Sequence, residues 1–256
     1  GSTVKLADRM SRISPSATMA MDALAKRMRA EGIDVIGFGV GEPDFDTPDN
    51  VKAAAVAAIE AGFTKYTPAG GIPELKEAVR QKLQADHGLT YDPAQIIITV
   101  GAKHALFNAF QALLNPGDEV IVPAPYWVSY VDQIRLTGAE AVIVMGDPDN
   151  QFKVSADQVR KAVTPRTKAL VINSPCNPTG AVYSEAELRA IAEVALEADI
   201  LVISDEIYEP FIYSDGGHTP FASLSEEAKK NTLLIHGVSK SHAMTGWRIG
   251  YAAGPA

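Results

Sequence analysis

The sequence has almost no cysteine and no long apolar run. Cys176 is the single cysteine among 256 residues. One cysteine excludes an internal disulfide and a cysteine-rich metal site. No apolar run approaches the roughly 20 residues that a transmembrane helix needs. We therefore expect a protein of a reducing, cytoplasmic compartment with no membrane partner.

Blocks of like charge are also missing, although the net charge is -8. Without a basic or acidic cluster, nucleic acid and anionic lipid are poor partners, and a small-molecule ligand is favoured. The chain is 46% hydrophobic, enough to bury a substantial core in one large domain plus an incomplete second one.

Short β-branched runs alternate with helical patterns from about residue 95 onward, which predicts an α/β fold. Seven runs read as strands, and strands that alternate with helices form a mostly parallel sheet covered on both faces. Residues 102–114 and Glu185–Glu197 read as helices, the latter opened by a capping box of Ser184 and Glu187. The seven runs are QIIITV, DEVIVPAP, EAVIVM, TKALVIN, DILVISDE, NTLLIH and RIGYAAG.

The N-terminal part reads as helices that pack outside the sheet. Residues 16–31 are predicted to form a helix that ends at Gly32, and Pro48 and Pro73 each mark the first turn of a helix. We place a soft boundary near residue 46, with an N-terminal arm and partial small domain at 1–46 and a large domain at 47–256.

Polar residues follow the predicted strands, where open α/β sheets bind their ligands. Each has an ordinary alternative. Gly101, Ala102 and Lys103 open a helix whose N-terminus suits a phosphate, although most such turns bind nothing. Tyr126 and Trp127 can stack on a planar ligand or belong to the core. A second set follows later strands: Asn177, Asp205 and Tyr208.

This second set also has alternatives to weigh. Asn177 fits simple turn chemistry as well as ligand binding. Asp205 ends an apolar strand, where a carboxylate is costly to bury unless it meets a cation.

Lys240 lies on the link between the last two predicted strands, in VSKSHAMTGWRIGY (238–251). A solvated surface charge is the common role of a lysine. The flanking apolar runs instead place it between two buried strands, where an amine suits chemistry. Together, the strand ends supply an amine, a carboxylate, a phenol, an amide, an indole, a guanidinium and a helix N-terminus. Pyridoxal 5'-phosphate has a matching group for each.

Six ordered motifs resemble the class I aminotransferases of fold type I, close to the aspartate and prephenate aminotransferase branch, from about residue 4 to the end. The resemblance implies a three-layer αβα pyridoxal phosphate-dependent transferase fold with a mostly parallel seven-stranded sheet. The motifs are GEPDFDTP (41–48), KYTPAGGIPELKEA (65–78), PYWVSY (125–130), NSPCNPTG (173–180), SDEIYE (204–209) and SKSHAMTGWRIGY (239–251).

The resemblance also implies roles around the cofactor ring. Lys240 would attach covalently to the cofactor aldehyde and move the substrate proton, and Asp205 would pair with the ring nitrogen. Asn177 and Tyr208 would bind the phenolic oxygen, and Trp127 would stack on the ring.

Further roles concern the phosphate, the substrate and the partner. Arg248, Ser239 and the backbone of Gly101 and Ala102 would hold the phosphate. Tyr66 would reach the cofactor of a second subunit, which implies a homodimer. The substrates would be an acidic amino acid, such as aspartate, and a 2-oxo acid, bound by Gly41, Trp127, Asn177 and Lys103. Lys103 is alternatively a cation beside the phosphate or on the surface.

Two departures from the family pattern stand out. Gly237 occupies a position where relatives often carry a phosphate-binding serine or threonine, so phosphate binding depends more on Arg248. Relatives also continue well beyond GYAAGP, into a part that completes the small domain and supplies an arginine for the substrate α-carboxylate. We therefore expect cofactor binding with weak or absent turnover.

Three rival functions remain for comparison. A lyase or cyclopropane-forming enzyme would use the same cofactor. A nucleotide-binding oxidoreductase is suggested by GFGVGEPDF, but Pro43 and Asp44 stand where a phosphate-binding helix should begin and the spacing is not GxGxxG. The third is an isolated cofactor-binding scaffold or folding fragment without turnover.

Overall fold

The computed structural model describes residues 4–255 and contains one seven-stranded sheet. Strands formed at all seven predicted runs, because each combines β-branched residues with a bounded apolar stretch. The strands are β1 (Ile96–Thr99), β2 (Glu119–Ala124), β3 (Glu140–Met145), β4 (Thr167–Asn173), β5 (Leu201–Asp205), β6 (Thr232–Gly237) and β7 (Gly250–Ala253).

The sheet is mostly parallel, as predicted, in the order β1-β7-β6-β5-β4-β2-β3. Strand β7 is the exception, since it runs antiparallel to both β1 and β6. The other six strands end at a common edge, which collects the residues that follow them. Because β7 starts at that same edge, the link before it lies there too.

Helices cover the sheet and form the N-terminal part. The helix predicted over residues 16–31 forms at Ala17–Ala30, with Ser16 as its N-cap, and Pro73 opens the third helix as predicted. Pro48 departs slightly from the prediction, since it is the N-cap residue before the second helix. The helices are α1 (Ala17–Ala30), α2 (Asp49–Glu60), α3 (Pro73–His87), α4 (Ala102–Leu113), α5 (Ser129–Leu136), α6 (Ala156–Ala162), α7 (Glu185–Glu197) and α8 (Glu226–Lys230).

The core forms on both faces of the sheet, which makes three layers. Alternate residues of β4 point to opposite faces: Leu170 and Ile172 join the cluster that contains α7, whereas Ala169 and Val171 join the cluster that contains α4. A third cluster joins α3 to β1 and β7. The αβα architecture is therefore confirmed.

Helices α1 and α2 differ from the sheet-covering helices because neither contains a buried residue. The domain boundary between residues 46 and 47 stays a prediction. Within residues 4–255, no helix combines the length and apolar character needed to cross a bilayer.

Candidate active site

Lys240 lies on the link between β6 and β7, where the structure brings it beside several other predicted residues. Its ammonium donates a hydrogen bond to the carbonyl of Gly41, and its Nζ lies 5.8 Å from the centroid of the Tyr208 ring. Burial lowers the pKa of Lys240, Glu42 raises it and Arg248 lowers it. The net lowering favours the neutral amine, the form that acts as nucleophile or base.

Asp205 ends β5 and is only 3% exposed. Its Oδ2 accepts a 2.5 Å hydrogen bond from the Tyr130 hydroxyl, and Oδ1 accepts one of 3.3 Å from the Ile207 amide. Burial raises the pKa of Asp205, while the Tyr130 and Ile207 hydrogen bonds oppose that rise. A carboxylate in this setting is suited to a cationic partner.

Tyr208 and Asn177 lie just beyond the ends of two neighbouring strands. Tyr208 is in the turn after β5, and Asn177 is in the loop after β4. Burial raises the pKa of the Tyr208 phenol, the nearby charge of Asp205 raises it further, and the Asn177 side chain lowers it. The backbone N–H of Asn177 donates to Asn173 Oδ1 at 2.8 Å, which fixes the loop after β4. The pair places a phenol and an amide at the same edge as Lys240.

Arg248 lies against the N-terminus of α4. Gly101, the N-cap residue, has φ +81°, and a Cβ there would lie 2.4 Å from Arg248 Nη2, so glycine permits the approach. Arg248 Nη1 donates to the Thr245 carbonyl at 2.8 Å. Among residues 4–255, no carboxylate forms an ion pair with this guanidinium.

A guanidinium beside a helix N-terminus, without a carboxylate, is an arrangement that suits an anion, and we call it the anion subsite. Ala102 begins this helix, and Ser239 is buried next to Lys240. The departure at Gly237 has a steric cause, because a Cβ there would lie 2.8 Å from the Ile249 carbonyl. A serine or threonine would require the β6–β7 pair to shift.

Trp127 is half-buried rather than a full core residue. Its ring lies edge-on to Tyr130, with centroids 5.4 Å apart and an interplanar angle of 87°. The Lys103 ammonium lies 5.2 Å from the Trp127 ring centroid, within cation–π distance. Lys103 is itself exposed, so it can meet a ligand above the indole.

Tyr66 stands apart from this group. Its side chain is fully exposed, and among the described residues it has no hydrogen bond to Lys240, Asp205 or Arg248. The structure of one chain does not bring it together with the other predicted site residues.

A set of contacts that the sequence did not reveal holds the N-terminal loop over the link between β6 and β7. Thr245 Oγ1 donates to Glu42 Oε2 at 3.2 Å, and Trp247 Nε1 donates to Thr47 Oγ1 at 3.0 Å. The signal lay in two quoted motifs, but pairing residues some 200 positions apart needs the fold. Tyr130 was missed for the same reason, although it stands in PYWVSY.

The assembled groups fit pyridoxal phosphate by their chemistry. A buried carboxylate held by neutral donors suits a protonated ring nitrogen, and the anion subsite at Arg248 suits a phosphate. The half-buried indole and the amine of Lys240 suit a planar aldehyde.

Comparisons with known proteins identify the family of the chain. Residues 33–256 match the sequence model of the family described as aminotransferase class I and II. The chain is 54% identical to an aspartate aminotransferase of Geobacillus stearothermophilus over 98% of its own length and 64% of the relative's. It is 51% identical to an aspartate/prephenate aminotransferase of Cereibacter sphaeroides, over 98% of this chain and 63% of that one.

A solved structure, the aspartate aminotransferase from Thermus thermophilus with maleate, superposes with a TM-score of 0.94 and 49% identity. The superposition covers 99% of this chain and 65% of that one. The chain thus spans somewhat less than two thirds of the length of these relatives. Since the family match takes in all of the sheet and every site residue above, the chain belongs to the class I and II aminotransferases.

Proposed function

We propose that this chain is the cofactor-binding portion of a pyridoxal phosphate-dependent aminotransferase that acts on aspartate, or a related acidic amino acid, and a 2-oxo acid. The observation that carries the proposal is the meeting of Lys240, buried Asp205 and the anion subsite of Arg248 at one edge of the sheet. The names of the relatives, aspartate and aspartate/prephenate aminotransferases, support the substrate class.

Each part of the cofactor has residues to hold it. Asp205 would hold the ring nitrogen, Trp127 the ring face, and Asn177 with Tyr208 the phenolic oxygen. The phosphate would lie on a set of residues that share the α4 N-terminus and the β6–β7 link: Gly101, Ala102, Lys103, Ser239 and Arg248.

The cofactor, when bound, supplies an aldehyde for amino groups and an electron sink for the pair left by a broken Cα–H bond. The protein then has to move one proton. Lys240 would take it from the substrate Cα as a neutral amine, and the lowering of its pKa by burial increases the share of that form. Asp205 keeps the ring nitrogen protonated, which is the condition for the electron sink.

The substrate would lie between Gly41 and the Trp127–Lys103 pair. The Gly41 carbonyl already faces the Lys240 amine, and Asn177 approaches from the loop after β4. An acidic side chain would meet the Lys103 ammonium above the indole, which favours aspartate-like substrates.

A homodimer is part of the proposal, and the exposed side of α2 supports it. Val56, Ile59 and Phe63 are more than half exposed; Val56 and Ile59 lie about one turn apart on α2, and Phe63 follows just beyond the end of the helix. Tyr66 follows on the same segment. An apolar patch of this kind suits a second copy, which would bring Tyr66 to the neighbouring cofactor. The cytoplasmic location also stays a prediction.

Borohydride trapping tests the proposal. Reduction of the chain loaded with pyridoxal phosphate should add the cofactor mass to the peptide that holds Lys240, because reduction fixes a lysine–aldehyde bond. Lys240→Ala protein should gain none there, and Lys230→Ala, on exposed α8, should label like the parent. Equal labelling of parent and Lys240→Ala protein would refute the assignment.

A turnover assay separates the alternatives that share this cofactor. Aspartate or glutamate is supplied with a 2-oxo acid, and the new amino acid is measured. Exchange of amino groups supports the aminotransferase, elimination or ring closure supports a lyase, and trapping without any product supports the scaffold.

A further inference from the structure

Tyr130 is a buried phenol that no step above uses. It lies near the start of α5, is 2% exposed, and its amide donates to the Trp127 carbonyl at 3.2 Å. Its hydroxyl crosses 75 positions of sequence to reach Asp205. The same short helix region thus carries a ring-stacking residue and a donor to the carboxylate.

The Asp205 carboxylate still has unused hydrogen-bond acceptor positions for a further partner. Tyr130 occupies one lone pair of Oδ2, and the Ile207 amide occupies one of Oδ1. A carboxylate has about four acceptor positions. Two bonds, one on each oxygen, therefore fix the rotation of the carboxylate and still leave positions for a ring N–H.

The charges around this pair suit a neutral donor. Burial raises the pKa of Tyr130 far above its usual value, and Asp205, Cys176 and Tyr208 add to the rise, so the phenol stays protonated. Glu206 raises and His236 lowers the pKa of Asp205, beside the larger effects of burial and of Tyr130 itself.

We propose that Tyr130 is a positioning residue for Asp205: its hydroxyl fixes the carboxylate in one orientation and keeps it ionised for the cofactor ring nitrogen. The proposal rests on the proposed function for its purpose. The effect of the Tyr130 hydroxyl on the orientation and ionisation of Asp205 also applies to the protein without cofactor.

Tyr130→Phe tests this, because it removes the hydroxyl and keeps the ring that packs on Trp127. In the unloaded protein, the ¹³C signal of the Asp205 carboxyl, assigned by its loss in Asp205→Asn, should titrate at higher pH, since a donor to the ionised form is gone. In the loaded protein, pyridoxal phosphate should dissociate about tenfold faster or more, the effect of one hydrogen bond to a charged group.

Tyr183→Phe is the matched control. Tyr183 is also buried, and its hydroxyl accepts the Val154 amide hydrogen at 3.0 Å, away from Asp205. This variant should lose some stability and leave the Asp205 titration and the cofactor dissociation unchanged.

An unchanged Asp205 titration in Tyr130→Phe, or an equal change in Tyr183→Phe, would overturn the positioning role. A parent protein that gains no visible absorbance with pyridoxal phosphate would contradict the proposed function instead. The titration of the unloaded protein still decides the role of Tyr130 in that case.

Discussion

Asp205 shows how one residue at the end of a strand acquires a special environment. It continues the buried run of β5, so its carboxylate enters the core side of the site with almost no contact with water. Burial favours the neutral acid, whereas the donors of Tyr130 and Ile207 and, to a lesser extent, the charge of His236 favour the ion. A cationic ring nitrogen would tip this balance toward the carboxylate.

Asp205→Asn should retain bound pyridoxal phosphate and lose most proton-transfer activity. The amide matches the carboxylate in shape but cannot stabilise a protonated ring nitrogen. We expect a loss of about a hundredfold or more, roughly 3 kcal/mol, as for other preorganised electrostatic partners. Single-turnover absorbance changes with aspartate measure it.

Asp157→Asn, an exposed position at the start of α6, provides the control and should match the parent. Unchanged rates in Asp205→Asn would remove Asp205 from the mechanism.

The site residues could be predicted from the sequence where a motif marks them. Contacts between residues far apart in the sequence could not, because they depend on how the elements pack. Lys240, Asp205 and Arg248 stand in quoted motifs, and the structure brings them to one edge. Tyr130 stands in a motif as well, yet its reach to Asp205 depends on how α5 packs on the sheet. The contact of Glu42 with Thr245 likewise arises from loop packing that no local spacing encodes.

At the scale of elements, Glu209 connects α3 to the sheet. It follows β5 and pairs with Lys82 Nζ at 2.5 Å, His87 Nε2 at 2.9 Å and His236 Nε2 at 2.7 Å. Burial would raise the pKa of Glu209, but hydrogen bonds from His236, His87 and Lys82 together hold it well below its usual range. The cluster therefore stabilises the fold only while Glu209 is ionised.

Acid should weaken this connection. A carboxyl whose pKa is depressed on folding contributes stability above its unfolded pKa of about 4.3, and the contribution is lost as pH falls from there toward the folded pKa. Glu209→Gln should cost about 1.5–3 kcal/mol at pH 7 and flatten the decline below about pH 5. Urea unfolding across pH measures both.

The exposed pair of Glu197 with Arg160 gives the comparison. Glu197→Gln should change the free energy of unfolding much less than Glu209→Gln, because both partners of the exposed pair are solvated. Parallel pH profiles for the parent and Glu209→Gln would contradict the coupling.

Element boundaries followed the sequence where a cap defined them. Helix α7 spans Glu185–Glu197 as predicted, since Ser184 and Glu187 bond reciprocally at its start. The order of the strands and the reversed direction of β7 did not follow, because β-branched runs report burial and not the neighbour or its direction.

At the scale of the whole molecule, the apolar face of α2 has no cover among residues 4–255. Its Val56 and Ile59, and Phe63 just beyond the helix, are more than half exposed, and Tyr66, which follows in the sequence, is exposed as well. A second copy on this face would complete two sites at once, so association and cofactor binding would be linked.

Ile59→Asp should therefore convert dimers to monomers and weaken cofactor binding, because a charge would be buried at the interface. Sedimentation velocity gives the mass, and absorbance titration gives the affinity. Leu196→Asp, at an apolar position of α7 that is less exposed than Ile59, should leave both unchanged. A monomeric parent, or a dimeric Ile59→Asp variant, would refute this interface.

The reversal of β7 has one more consequence. Its start at Gly250 and the end of β6 at Gly237 pair directly, so residues 238–249 form a loop whose two ends are fixed by neighbouring buried strands. The conformational entropy of closing that loop is lost when the strands pair during folding, before any ligand binds. The side chains of Lys240 and Arg248 are consequently held near each other before a ligand arrives. Binding then requires little further loss of backbone entropy, and the two groups act on the ligand at a high effective molarity.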